Sequence, residues 1–223
     1  MRLRRGSNSS LTRKLLIKGQ TRKPLTTEPH HLSNLHLIHI SATCVRDIVF
    51  MIEDSRNSSG DQDVKLFLAN IISRLEIGGD DNRVAVALFD SSVNTNINLY
   101  DYNVTELLDR VSNIRFRHRS DHVDYNDVLK KLADYLNLHK NGDREQVADV
   151  VVIVSDHAAD DRGHHHNNHD LSIVGTEVIV VNVGPNAEQV NTFGNLTTSP
   201  VLNISDYGQL TTIETDVLRM LCL

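Results

Sequence analysis

The chain has 223 residues and a mass of 25.1 kDa, enough for one large domain or two small ones with a real core. Hydrophobic residues make up 39% and charged residues 23%, a globular balance, while 4% aromatics and no Trp exclude a base-stacking platform for single-stranded nucleic acid. The formal charge of −6 is uneven: residues 1–40 hold eight Lys/Arg against one acid, and the other 183 residues hold 15 basic against 28 acidic side chains. Phosphate backbones are repelled by so acidic a body, which argues against a nucleic-acid partner. No apolar run reaches the roughly 18 residues of a membrane helix.

Residues 1–43 are basic and lack apolar periodicity. They are expected to be mostly disordered, with a short basic binding tail as the alternative. Nor do they read as a signal peptide, because Arg2, Arg4 and Arg5 precede a polar stretch and Leu15 to Ile17 is too short an apolar core. The expectation is a piece of a longer secreted chain, or one whose true start is missing.

The body, residues 44–223, alternates strand and helix. Asp47 to Ile52 reads as a strand buried on both faces. Val64, Phe67, Leu68, Ile71 and Leu75 form one stripe of a helix over 61–75, which Gly78 and Gly79 are expected to stop. Arg83 to Phe89 is a second strand and Val93 to Leu99 a weaker third; the short turn between them predicts an antiparallel hairpin. Asn103 to Glu106 resembles a capping box opening a helix with Leu107, Leu108 and Val111 inward. A further helix runs from Asp124 to Leu136. Val147 to Val154 is the most β-branched strand, Glu177 to Val183 the next, and Asn186 opens a short helix with Val190 and Phe193. Val201 to Ile204 is the last strand, and a final helix starts near Tyr207. Strands separated by helices imply crossovers: an α/β doubly wound, mostly parallel sheet with helices on both faces and one antiparallel edge strand. Such sheets bind ligands at the carboxyl ends of their strands. The loops after Ile52, around Asp121 and after Ser155 are therefore where function is expected.

Cys44 and Cys222 stand just outside the first and last regular elements. They read either as two buried thiols or as a bridge fastening the domain's entrance to its exit, which is worth about 5 kcal/mol in the chain-entropy model. A bridge requires an oxidising compartment. The sequons at Asn8, Asn57, Asn103, Asn195 and Asn203 point the same way and are candidate glycosylation sites.

The runs DIVFMIEDSRNS, DVKLFLANIISRLEIGGDDNRVAVALFDSSV, VVVIVSDH and TEVIVVNVG, in that order, resemble a von Willebrand factor type A domain of the matrilin-like, collagen-associated matrix group. The resemblance covers residues 44–223 and includes the flanking cysteine pair. It implies a Rossmann-like fold and a metal-ion-dependent adhesion site of pattern D-x-S-x-S, a Thr in a third loop and an Asp after the fourth strand. Those oxygen ligands suit octahedral Mg²⁺ with an open position for a partner's carboxylate. Here the first Asp falls on Glu53, the two Ser on Ser55 and Asn57, the Thr on Val123, and the last Asp on Asp156. Valine cannot ligate, so the site reads as degenerate: Mg²⁺ binding is weak or absent, with Asp121 or Asp124 as substitute ligands. Shifting the alignment by one offers Asp54 and Ser58 but places Arg56 at the middle Ser.

A histidine-rich segment, with His164, His165, His166 and His169, offers imidazoles for Zn²⁺, Cu²⁺ or Ni²⁺. His118, His122 and His157 are candidates for the same rim. Its plainer reading is a solvated polar insertion. No G-x-S-x-G elbow, P-loop or G-x-G-x-x-G is present, and no enzyme is expected. The resemblance implies a non-enzymatic extracellular adhesion module without a required cofactor. Its expected partner is a matrix protein such as collagen or another A-domain protein. The alternatives are a structural spacer or self-association module, and a histidine-rich transition-metal-binding matrix protein.

Overall fold

The computed structural model describes residues 44–55, 60–119, 123, 125–137, 141–156, 175–185, 197 and 199–222. Six strands form one sheet: β1 (Arg46–Glu53), β2 (Arg83–Phe89), β3 (Val93–Ile97), β4 (Ala148–Ser155), β5 (Glu177–Val183) and β6 (Leu202–Ile204). Their spatial order is β3-β2-β1-β4-β5-β6, and every neighbouring pair is parallel except β2–β3. The described helices are α1 (Asp61–Ile72), α2 (Val104–Ser112), α3 (Tyr125–Asn137) and α4 (Glu214–Met220).

Strand alternation divides the core into two layers. Ile48, Phe50 and Ile52 of β1 face α1, α2 and α4 through Phe67, Leu68, Leu107 and Val217. Val49 and Met51 face the other way, toward Val128, Leu132 and Leu136 of α3. Burial on both faces explains why β1, β4 and β5 read as unbroken apolar runs. The β2–β3 hairpin closes through Asp90, whose carboxylate accepts from the Ser92 backbone N–H at 2.8 Å. Asn103 caps α2 by accepting from the Glu106 backbone N–H at 2.9 Å.

Two boundaries differ from expectation by more than two residues. Helix α1 ends at Ile72, well before Gly78; its last turn closes by short-range bonds such as Arg74 N–H to the Ile71 carbonyl (3.0 Å), and the two glycines serve the following turn. The C-terminal helix is split: residues Tyr207–Thr212 form a 3₁₀ turn, and only Glu214–Met220 is α-helical. Gly60, at φ 149°, allows the start of α1 to pass against the Tyr207 ring, where any Cβ would collide. The helix placed at Asn186, Val190 and Phe193 lies outside the described residues.

A disulfide joins Cys44 to Cys222 across 5.4 Å between Cα atoms, so entrance and exit are stapled as the bridge reading required. No described helix is long and apolar enough to cross a membrane.

Candidate functional site at the carboxyl edge of the sheet

The strand order reverses between the parallel neighbours β1 and β4: β2 and β3 lie to one side of this point, β5 and β6 to the other. The crevice at the carboxyl ends of β1 and β4 is where an open α/β sheet holds a ligand. Glu53 ends β1 and Ser155 and Asp156 end β4, so the crossover topology brings residues a hundred positions apart to one spot.

Glu53 is 1% exposed, and its carboxylate looks inward. Its Oε2 accepts from the Ser155 hydroxyl at 2.5 Å and from the Asp156 backbone N–H at 3.1 Å. The extra methylene relative to Asp carries the carboxylate across to β4, where it ties the two central strands together. Ser55 is fully buried, and Val123 is buried in the core layer of α3. Asp156 is only partly buried. The described donor set is a poor fit for an octahedral Mg²⁺: the Glu53 carboxylate bonds to β4, and Val123, the residue expected at the Thr position, offers no oxygen. Asn57, Asp121 and Asp124 lie outside the described residues, as do His122, His157, His164, His165, His166 and His169.

Asp54 has a separate task. Its side chain is 8% exposed and accepts from the backbone N–H groups of Arg117 (2.9 and 3.0 Å to the two oxygens) and His118 (3.1 Å). Both Asp54 oxygens are thus engaged by backbone donors of the segment after α2. The His118 ring completes a bracket, with Nδ1 3.0 Å from the Ser55 carbonyl and 3.3 Å from Asp54 Oδ1, and Nε2 3.1 Å from Asp61 Oδ1. Partial burial alone would lower its pKa. The Ser55 carbonyl and the Asp61 and Asp54 carboxylates outweigh that and raise it. His118 does lie on the rim, but both ring nitrogens are engaged, so it is a strut rather than an open metal ligand. Its backbone sits at φ 45°, a left-handed conformation unusual for a residue other than glycine, held in place by Asp54. The sequence signal for this strut was the alternation Arg115-Phe116-Arg117-His118-Arg119 just past α2, which the reading of the motif passed over.

The opposite end of the sheet holds a second polar cluster. Asp47, fully buried at the start of β1, is gripped by Arg144 through the backbone N–H (2.7 Å), Nε (2.9 Å) and Nη2 (2.6 Å). The carboxylates of Asp47, Asp143 and Asp149 lie within 4.8 Å of one another. Burial, then the Asp143 charge and hydrogen bond, then Asp47 push the Asp149 carboxyl up to about 8. Arg144 neutralises Asp47, and the raised pKa of Asp149 favours its neutral form beside the other two carboxylates. The cluster is a structural clasp at the end away from the crevice.

Sequons divide in the same way. Asn103 and Asn203 are exposed, Asn103 at the N-terminus of α2 and Asn203 on edge strand β6, where its Oδ1 accepts from the Asn182 amide at 3.2 Å. Asn8 and Asn195 lie outside the described residues.

Among solved structures, that of proximal thread matrix protein 1 from the mussel byssus (crystal form 2) superposes with a TM-score of 0.68 at 18% identity, covering 80% of this chain and 48% of that one. A structure of the same mussel protein with a zinc-occupied MIDAS motif gives 0.65 at 22% identity, covering 81% and 46%. The conserved hypothetical protein BatB from Bacteroides thetaiotaomicron gives 0.56 at 10% identity, covering 79% and 98%. At these identities the likeness is one of fold, and this chain spans about half the length of the mussel protein. No curated protein matches the sequence. The sequence profile of the von Willebrand factor type A domain matches residues 47–216. With that match, the strand order and the crevice between β1 and β4, the chain belongs to the von Willebrand factor type A domain family.

Proposed function

We propose that the protein is a non-enzymatic extracellular adhesion module whose carboxyl-edge rim binds a matrix protein without a bridging Mg²⁺. On this reading the domain spans residues 44–223, with residues 1–43 as a basic segment outside it. The observation that carries the reading is Glu53: the carboxylate at the first ligand position is buried and bonded to Ser155 and to the Asp156 backbone. A carboxylate so committed offers an incoming ion little, because binding would first break two hydrogen bonds. The Cys44–Cys222 bridge supports a secreted location, since disulfides persist in oxidising compartments. Matrix partners are supported by the fold likeness to a matrix protein of the mussel byssus, and collagen is the first to test.

The test is solid-phase binding of the full chain to fibrillar collagen and to a matrix A-domain protein, with Mg²⁺ and with excess EDTA. Binding that survives EDTA is expected. Binding that EDTA abolishes would restore the metal-bridged mechanism, and no binding to either would favour a spacer role.

A further inference from the structure

The rim of this acidic domain carries a concentrated basic feature. Arg115, Arg117 and Arg119 are all exposed, while the intervening Phe116 and His118 are half-buried and stacked on each other, 6.0 Å between ring centroids. The segment is anchored at two points. Ile114 packs into the core beside α2, and the Arg117 and His118 backbone N–H groups are held by Asp54. Arg115 and Arg117 make no ion pair among the described residues. The nearby carboxylates are already engaged: Asp54 by the two amides, Asp61 by His118, and Glu53 by Ser155.

We propose that this arginine strip is the receptor for an acidic segment of the protein partner, taking over the carboxylate recognition that a metal ion would otherwise supply. The proposal rests on the rim being the partner-binding surface. Guanidinium groups suit the task because they hold carboxylates through paired, charge-assisted hydrogen bonds and stay charged at any physiological pH. Anchoring the backbone beforehand lowers the ordering cost of binding. A short acidic peptide fits better than a long sulfated polysaccharide. Beyond a few residues a polyanion would run onto a body whose residues past 40 carry 15 basic against 28 acidic side chains.

The probe is a deca-glutamate peptide titrated into the full ¹⁵N-labelled chain, with and without EDTA, reading the amide shifts of residues 114–119. A local readout is needed because the basic segment 1–40 also attracts the peptide. Saturable, salt-sensitive shifts at Arg117 and His118 are expected. Arg115→Glu/Arg117→Glu should weaken the affinity read there at least tenfold with an unchanged melting temperature. Arg219→Glu, on α4, should leave it within twofold. Shifts confined to residues 1–40, shifts unaffected by the double variant, or a stronger rim response to a heparin octasaccharide would overturn the proposal. Rim shifts that appear only with Mg²⁺ would instead overturn the metal-free reading on which it rests.

Discussion

Replacing Asp149 by Asn should stabilise the protein at alkaline pH and do little at acid pH. Asp149 lies with Asp47 and Asp143 in a group of carboxylates within 4.8 Å, and only Asp47 is gripped by Arg144. Burial and the Asp143 carboxylate raise its pKa to about 8 from an ordinary 3.8. Between those two values the folded protein holds a proton that the unfolded chain has released, so stability falls as pH rises through that window. The penalty is absent below about pH 4 and complete above about pH 8. A fully buried carboxyl would lose about 1.4 kcal/mol per pH unit. Asp149 is half-buried, water screens much of this, and about 2 kcal/mol is expected in total. The asparagine amide keeps the hydrogen bond to Asp143 without the charge. Urea denaturation of both proteins at pH 4, 7 and 9 should show the variant equal at pH 4 and about 2 kcal/mol more stable at pH 9. A difference independent of pH, or a variant less stable throughout, would refute the assignment of a raised pKa to Asp149.

Reducing the Cys44–Cys222 bridge, or replacing both cysteines by alanine, should cost about 3–5 kcal/mol, measured by denaturant titration, because the bridge closes a loop of 178 residues. His118→Ala should cost about 1–2 kcal/mol and speed hydrogen exchange at Arg117, since the Asp54–Ser55–Asp61 bracket loses its centre. Asn103→Ala should cost about 1 kcal/mol in a thermal melt through loss of the α2 cap, whereas Asn103→Asp should be near neutral.

The fold was legible because its strands carry their own signature. Arg83 to Phe89 was expected as a strand and is one, and Val147 to Val154 is offset by a single residue, since short runs rich in β-branched residues favour a strand. The end of α1 was less legible. Glycines at 78 and 79 are the obvious stop, but the turn closes earlier through backbone bonds that sequence does not announce. The burial of Glu53 at the end of β1 follows from the strand pattern. What Glu53 does there does not, because its partners Ser155 and Asp156 lie about a hundred residues away. The same holds for Asp47 with Arg144 and for Asp54 with the loop at Arg117. Each is an acid explained by a distant donor that only the crossover topology brings close.

On the proposed reading, the crevice between β1 and β4 works without a tightly held divalent ion. Calorimetric titration of the full chain with Mg²⁺ and Mn²⁺ tests it most directly. No saturable heat and no rise in melting temperature are expected at about 1 mM ion, for the native chain and for Asp156→Ala alike, because a ligand stabilises only in proportion to ln(1 + [L]/Kd). Saturable binding well below millimolar, abolished by Asp156→Ala, would contradict that reading and show that Glu53 leaves Ser155 to join the ion.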